Sequence, residues 1–436
     1  MDKESFNRGL LSFLGEATTP FHAVAAMATR LRSAGFAELG PEFEISDLGG
    51  GVFQRRGGSL LALVPGAVDL AHNGLRMVGA HTDSPCLMLK PQPDQTSNGY
   101  RQLGIEVYGG ALLNPWFDRD LSLAGRVSYH TGDGRVATRL IDFRDPIGII
   151  PSLAIHLDRE ANSNRSVNAQ TDMAPLVALQ REESMSLRKL LEKRLREEGA
   201  DLQEVLDFEL CFYDTQAAAM VGLEREFIAS ARLDNLLSCY TGLQALLATD
   251  GSQWCLLACN DHEEVGSRSA SGAQGPMLRD FLQRLLPPSS PLAPLMGRSL
   301  MISADNAHGI HPNFPDKHDA QHGPLLNGGP VIKINASQRY ATSSEGAGLF
   351  RVLASRVDVP VQSFSVRADM ACGSTIGPIA AGELGVRTVD IGVPTFAMHS
   401  IRELAGSDDA WMLHRVLSAY YAHAGTLLAD NESDNG

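Results

Sequence analysis

The chain has 436 residues, 44% of them hydrophobic and 20% charged, which excludes a disordered chain and suits two or three domains or one large core with an insertion. Its 51 acidic and 37 basic residues give a net charge of -14, which argues against nucleic acid or an anionic membrane surface as partner. The 6 cysteines are scattered, so a disulfide framework is not expected and a reducing, cytoplasmic setting is. The start, Met1-Asp2-Lys3-Glu4-Ser5, lacks the basic-then-apolar pattern of a signal peptide. No stretch approaches the roughly 18 apolar residues of a membrane span.

In chain order, residues 2–35 read as two helices broken near Thr19-Pro20, with Phe6, Leu10, Leu11 and Leu14 on one face of the first. Short apolar runs at 60–64 and 75–80 read as strands. Residues 92–140 turn to glycine-rich alternation, expected of antiparallel hairpins, and a highly charged helix follows over 185–199. From about 228 apolar runs alternate with helical periodicity: strands at 254–259, 299–303, 361–366 and 387–391, helices at 234–248, 276–286, 345–357 and 408–429. The fold class is therefore α/β, a mostly parallel mixed sheet flanked by helices, formed by 1–91 and 229–436 and interrupted by a β-rich insertion at 92–228. The acidic tail from Asp430 to Gly436 is expected to fray.

Chemistry concentrates at strand ends. Asp261-His262-Glu263-Glu264-Val265-Gly266 follows the apolar run 254–259, and adjacent carboxylates ionise together readily only near a cation or a proton. His81-Thr82-Asp83 follows the run ending at Ala80, Asp305 follows the run 299–303, and His399 lies beyond the run 387–391. Open α/β sheets bind ligands past the carboxyl ends of their strands. Asp234, at a helix start, is a fifth candidate. Each residue alone has an ordinary explanation: a cap, a turn or a packed histidine. Together, the order His, Asp, Glu-Glu, Asp, His suits two metal ions sharing one carboxylate. Imidazole with carboxylate suits zinc, with cobalt or manganese able to substitute. Asp83, two residues past His81, reads as the carboxylate that orients that imidazole. The zincin pattern is excluded, because Gly266 stands where its second histidine would be.

At these positions the chain resembles the aspartyl aminopeptidase family of metallopeptidases. The matching stretches are His81 to Pro85, Ala231 to Asn235, Asp261 to Ser267, Ser303 to His308 and Ala397 to Glu403, in the family's order. One departure is Ala371, where the family's pattern has proline. The resemblance implies one ion held by His81, Asp234 and Asp305 and a second held by Asp234, Glu264 and His399. It makes Glu263 the general base acting on a metal-bridging water, in hydrolysis of N-terminal acidic residues (Asp, Glu) from peptides. Lys333, inside the alternating run Val331 to Tyr340, reads from spacing alone equally as a solvent-face lysine. The resemblance makes it the counter-charge for the acidic side chain, with Tyr340 lining the pocket and Arg339 a weaker candidate.

His156, in Leu153-Ala154-Ile155-His156-Leu157, reads alone as a packed or surface histidine; the resemblance implies that it serves a neighbouring subunit's site. His308 and His311 flank Asp305 and read equally as supporting residues of the centre or as structural ones. The resemblance makes the insertion a dimerisation domain and the assembly a tetrahedral dodecamer built from dimers. Two other readings share the residues. A broader aminopeptidase or a deacylase would keep every ligand and differ at the pocket. A non-catalytic assembly protein would be expected to lack the base or a ligand, yet all six positions are occupied.

Overall fold

The computed structural model describes every residue except 41, 45–47, 183, 426 and 428–436; the tail from Asp430 thus lies outside the described residues. Among the described residues no helix is long and apolar enough to cross a membrane. Two compact units emerge: Met1–Asp83, Ala218–Met398 and Glu403–Gly436 form one, and Ser84–Ala217 with His399–Arg402 the other. The compositional break read at 92 falls within the strand Cys86–Ser97. The first half of that strand is apolar enough to look like the first unit, and only its continuation carries the new texture.

In the first unit the described residues form a nine-stranded sheet. Its order is Ala37–Glu38, Val52–Arg56, Ser59–Val64, Cys255–Asn260, Arg76–His81, Leu300–Ala304, Arg387–Gly392, Val331–Lys333 and Gln362–Phe364. The four strands from Cys255–Asn260 to Arg387–Gly392 are mutually parallel. Ser59–Val64 and Val331–Lys333 pair with them in the antiparallel sense, so the sheet is mixed. The central strands are unbroken apolar runs because both faces are covered. Val78, Leu257 and Ile302 join a core built with helices Lys3–Glu16, Pro20–Ser33, Leu233–Leu247, Ser344–Arg356 and Asp409–Tyr421. Met77, Leu256 and Met301, one residue out of step, pack with helices Met277–Arg284 and Ala293–Arg298. Thr19 caps the second helix and Pro20 opens it, which is the break read at that dipeptide.

A second sheet of this unit joins Ala219–Val221, Phe227–Ser230, Glu403–Gly406, Pro394–Phe396 and Ala307–His308. Neither it nor the helices Ala293–Arg298 and Ile376–Leu384 is anticipated by the sequence pattern. The other unit is a six-stranded antiparallel sheet. Its helix Leu187–Glu197 lays Leu187, Leu191 and Leu195 on the core with Val205 and Phe208.

Candidate metal centre

The parallel strands all end at one edge of the sheet, and there the candidate ligands collect. The register sets Asn260 beside His81. Strands Arg76–His81 and Leu300–Ala304 pair only as far as Gly79 and Ser303. Asp234 arrives from the helix Leu233–Leu247. Ahead of it Arg232, in the left-handed region (φ 60°), is anchored by its guanidinium to the carbonyls of Ala17 and Leu14 and turns the chain from strand to helix. His81 Nε2 stands 3.4 Å from Asp234 Oδ1 and 3.4 Å from Asp305 Oδ1, all three residues buried. These three residues offer ligand atoms within 4.8 Å of one another, and His81, Glu263 and Glu264 form a second such group.

The surroundings orient the set. His81 Nδ1 bonds the backbone carbonyl of Asp83 at 3.1 Å, whereas the Asp83 carboxylate lies 3.6 Å away. The two oxygens of that carboxylate instead accept the N–H groups of Glu263 and Glu264, each at 3.0 Å. Asp83 thus meets the imidazole with its main chain and, at 3.6 Å, with its carboxylate, which also holds the glutamate pair. The tight turn Glu263–Val265 is entered through His262 in the left-handed region (φ 66°). The His262 ring bonds Ser269 Oγ at 2.8 Å, and the residue belongs to neither ligand group.

The electrostatics are those of a socket short of cations. Burial alone would lower the His81 pKa, but hydrogen bonds to Asp234, Asp305 and Asp83 outweigh it and raise it well above the usual value. The Glu263 carboxyl is pushed up to about 7, first by burial; His81 opposes the shift and the Asp305, Asp234 and Asp83 charges add to it. Buried carboxylates in excess over cations call for a bound positive ion. One imidazole with several carboxylates is a donor set that suits zinc, and a histidine held through its other nitrogen is typical of a metal ligand. The residues fit a divalent metal ion such as zinc.

Lys333 is buried, so the solvent-face alternative falls. Its ammonium contacts Asp305 Oδ2 at 3.2 Å and the Asn306 carbonyl at 3.1 Å, leaving Asp305 Oδ1 to His81, and it lies 5.1 Å from the Tyr340 ring centroid. Tyr340 and His308 line a cavity of about 270 Å³ with Phe364, Phe396 and Met398. His308 is accessible from that cavity, yet burial and the Lys333 charge hold its pKa below the usual value. His311 also lines it. The Glu403 side chain, which accepts the Asp234 N–H at 2.8 Å, was not anticipated as part of the centre. Its position in the matching stretch Ala397 to Glu403 was the available signal.

His399 and His156 belong to the second unit. His399, in the left-handed region (φ 67°), bonds the Gly110 carbonyl through Nδ1 at 3.1 Å, which favours the tautomer with its lone pair on Nε2. His156 stands on an exposed turn.

A buried imidazole ringed by carboxylates at the strand ends of an α/β sheet is the centre of a metal-dependent hydrolase. The chain belongs to the M18 family of metallopeptidases, the one its motifs resemble: the model described as aminopeptidase I zinc metalloprotease (M18) matches residues 13–421. It is 58% identical over 424 residues to probable M18 family aminopeptidase 2 of Pseudomonas fluorescens (strain Pf0-1), covering 96% of this chain and 99% of that one. Among solved structures it matches a chain of the Ape4 and Nbr1 complex at TM-score 0.92 and 38% identity, covering 96% of this chain and 86% of that one. It matches the S. cerevisiae mApe1 dodecamer at TM-score 0.83 and 27% identity, covering 96% and 97%. Its fold is that of these mixed α/β aminopeptidases, and its activity is that of a metal-dependent aminopeptidase.

Proposed function

We propose that this protein removes N-terminal aspartate or glutamate from peptides in the cytoplasm, with two divalent ions, zinc first among them. The observation that carries the reading is the buried His81, Asp234 and Asp305 cluster beside Glu263, with the Lys333 ammonium on Asp305 and under Tyr340. One ion would be held by His81, Asp234 and Asp305, the other by Asp234, Glu264 and His399. Ions held there would supply acidification of water and stabilisation of the developing oxyanion. Glu263 takes the proton released as water attacks and returns it to the leaving amine, a role that suits a carboxylate grouped with His81 and Glu264.

Lys333 spends two of its three N–H groups on Asp305 and Asn306, and the third is the counter-charge for an acidic side chain seated against Tyr340. His156 acts in a neighbouring subunit. Its flanking Leu153, Ile155 and Leu157 are all exposed, as a surface covered by a second copy would be. A dodecamer, the state named for the S. cerevisiae relative, would supply that cover, here built from dimers.

The test compares Asp-, Glu- and Leu-anilides after chelation and zinc add-back, in the wild type, Glu263→Gln and His156→Phe. Acidic substrates should be preferred, and zinc should restore the activity that chelation removes. Glu263→Gln should lose about 10²–10⁴ in turnover, and His156→Phe a smaller factor, both with zinc content unchanged. A wild-type preference for Leu would overturn the acidic specificity. Full activity in Glu263→Gln would overturn its role as base, and wild-type turnover in His156→Phe the role in trans.

A further inference from the structure

The start of the helix Leu233–Leu247 does more than carry Asp234. Strands Arg76–His81 and Leu300–Ala304 lose their mutual pairing beyond Gly79 and Ser303, just before His81 and Asp305. Carbonyl groups at such parting ends need other donors. Two fully buried side chains of the helix supply them: Asn235 Nδ2 donates to the Ala304 carbonyl at 2.8 Å, and Cys239 Sγ donates to the His81 carbonyl at 3.0 Å. The Asp234 N–H is itself held by Glu403 Oε2 at 2.8 Å. One short segment therefore carries a ligand and grips the backbone of the two strand ends that present the others.

We propose that Asn235 and Cys239 are positioning residues of the metal centre, holding the strand ends of His81 and Asp305 at a set distance from Asp234 so that the three ligands are arranged before an ion arrives. This rests on the function proposed above, in which those three side chains share an ion. A thiol is a weak donor, so its bond adds little to overall stability. Ligand placement is far less tolerant, since metal–ligand distances are defined to about 0.2 Å. The inference therefore predicts a loss of zinc affinity out of proportion to any loss of stability.

The experiment measures zinc affinity of the full-length protein by competition with a chromophoric chelator, alongside thermal unfolding of the metal-free form. Cys239→Ala should weaken zinc binding by about tenfold or more, within the range seen for groups that orient metal ligands. Cys239→Ser, which keeps a donor, should recover most of that loss, and the two should unfold at similar temperatures without metal. Asn235→Leu, similar in size but lacking the amide, should weaken zinc binding comparably; if it does not fold, the Cys239 pair decides. Unchanged affinity in Cys239→Ala, or a serine variant no better than the alanine one, would overturn the proposal. A wild type that binds no zinc would overturn the metal centre itself, whereas tight wild-type binding with indifferent variants defeats only the positioning role.

Discussion

Arg76 and His81 begin and end the same central strand, both are buried, and both can carry charge. Arg76 directs all its guanidinium N–H groups at main-chain carbonyls: Nε to His423, Nη1 to Asn73 and Gly74, Nη2 to His423 and Gly425, at 2.6–3.3 Å. These neutral acceptors tie the start of the strand to the segment after the last helix and leave the donors no capacity for a ligand. His81, at the other end, meets two carboxylates on one nitrogen and a carbonyl on the other, with Glu263 adding further negative charge nearby. A buried charge matched by its own backbone is architecture. A buried surplus of one sign is a place for something to bind.

The largest expected effect tests the architectural end. Arg76→Met keeps the aliphatic stem and strips donors from four carbonyls, so it should cost about 3–5 kcal/mol, as breaking buried charged hydrogen bonds does. Urea unfolding of the metal-free protein would measure it, and zinc affinity should stay at the wild-type value. Wild-type stability, or weakened zinc binding in a folded variant, would erase the contrast between the strand's two ends.

A second histidine sharpens what decides the difference. His414 is also buried but packs against Phe6 and Trp411, with ring centroids 5.2 and 5.1 Å away. Burial pulls its pKa down to about 4, with the charged N-terminus adding to the effect. The folded state therefore resists protonation that the unfolded chain accepts below about 6.5. Stability from this group is complete above that pH and falls away toward pH 4, by ~3 kcal/mol. His414→Phe should flatten the decline between pH 6.5 and 4 while leaving stability at pH 7.5 nearly unchanged. An acid limb as steep as the wild type's would mean that other groups set it.

Three of the proposed ligand segments were legible because an apolar run ends abruptly ahead of them: Ala80 before His81, Ala304 before Asp305, Cys259 ahead of the glutamate pair. Such runs mark strands covered on both faces, and strand ends are where chemistry gathers. The second sheet of the first unit was not legible, because strands of two to four residues such as Ala307–His308 and Glu403–Gly406 are too short to show a period. The helix Ile376–Leu384 was hidden by Gly377, Pro378 and Gly382, which read locally as a loop. Spacing could say that Lys333 alternates with apolar neighbours but not which face was buried. Nor could it give Cys239 a partner 158 positions away. Those facts belong to tertiary pairing, which no local pattern encodes.

The smallest effect is the most diagnostic, because its sign matters. In the metal-free protein Asp234 shares a buried site with Asp305 and Glu263, with His81 and Lys333 among the groups that balance them. Asp234→Asn removes one of these charges and keeps the shape. His81 retains Asp305, and the backbone contact from Asp234 to Glu403 does not involve the altered group. Relief of like-charge crowding should therefore leave the chelated variant as stable as the wild type or up to about 1 kcal/mol more so. Zinc should separate them. At a thousandfold excess over its dissociation constant it would stabilise the wild type by about 4 kcal/mol, and it should do little for a variant that has lost the shared carboxylate. Thermal unfolding with chelator and with zinc reads both numbers. Were the chelated variant several kcal/mol weaker, the carboxylates would be structural partners of the kind that surround Arg76, and the charge surplus at His81 would no longer argue for a bound ion.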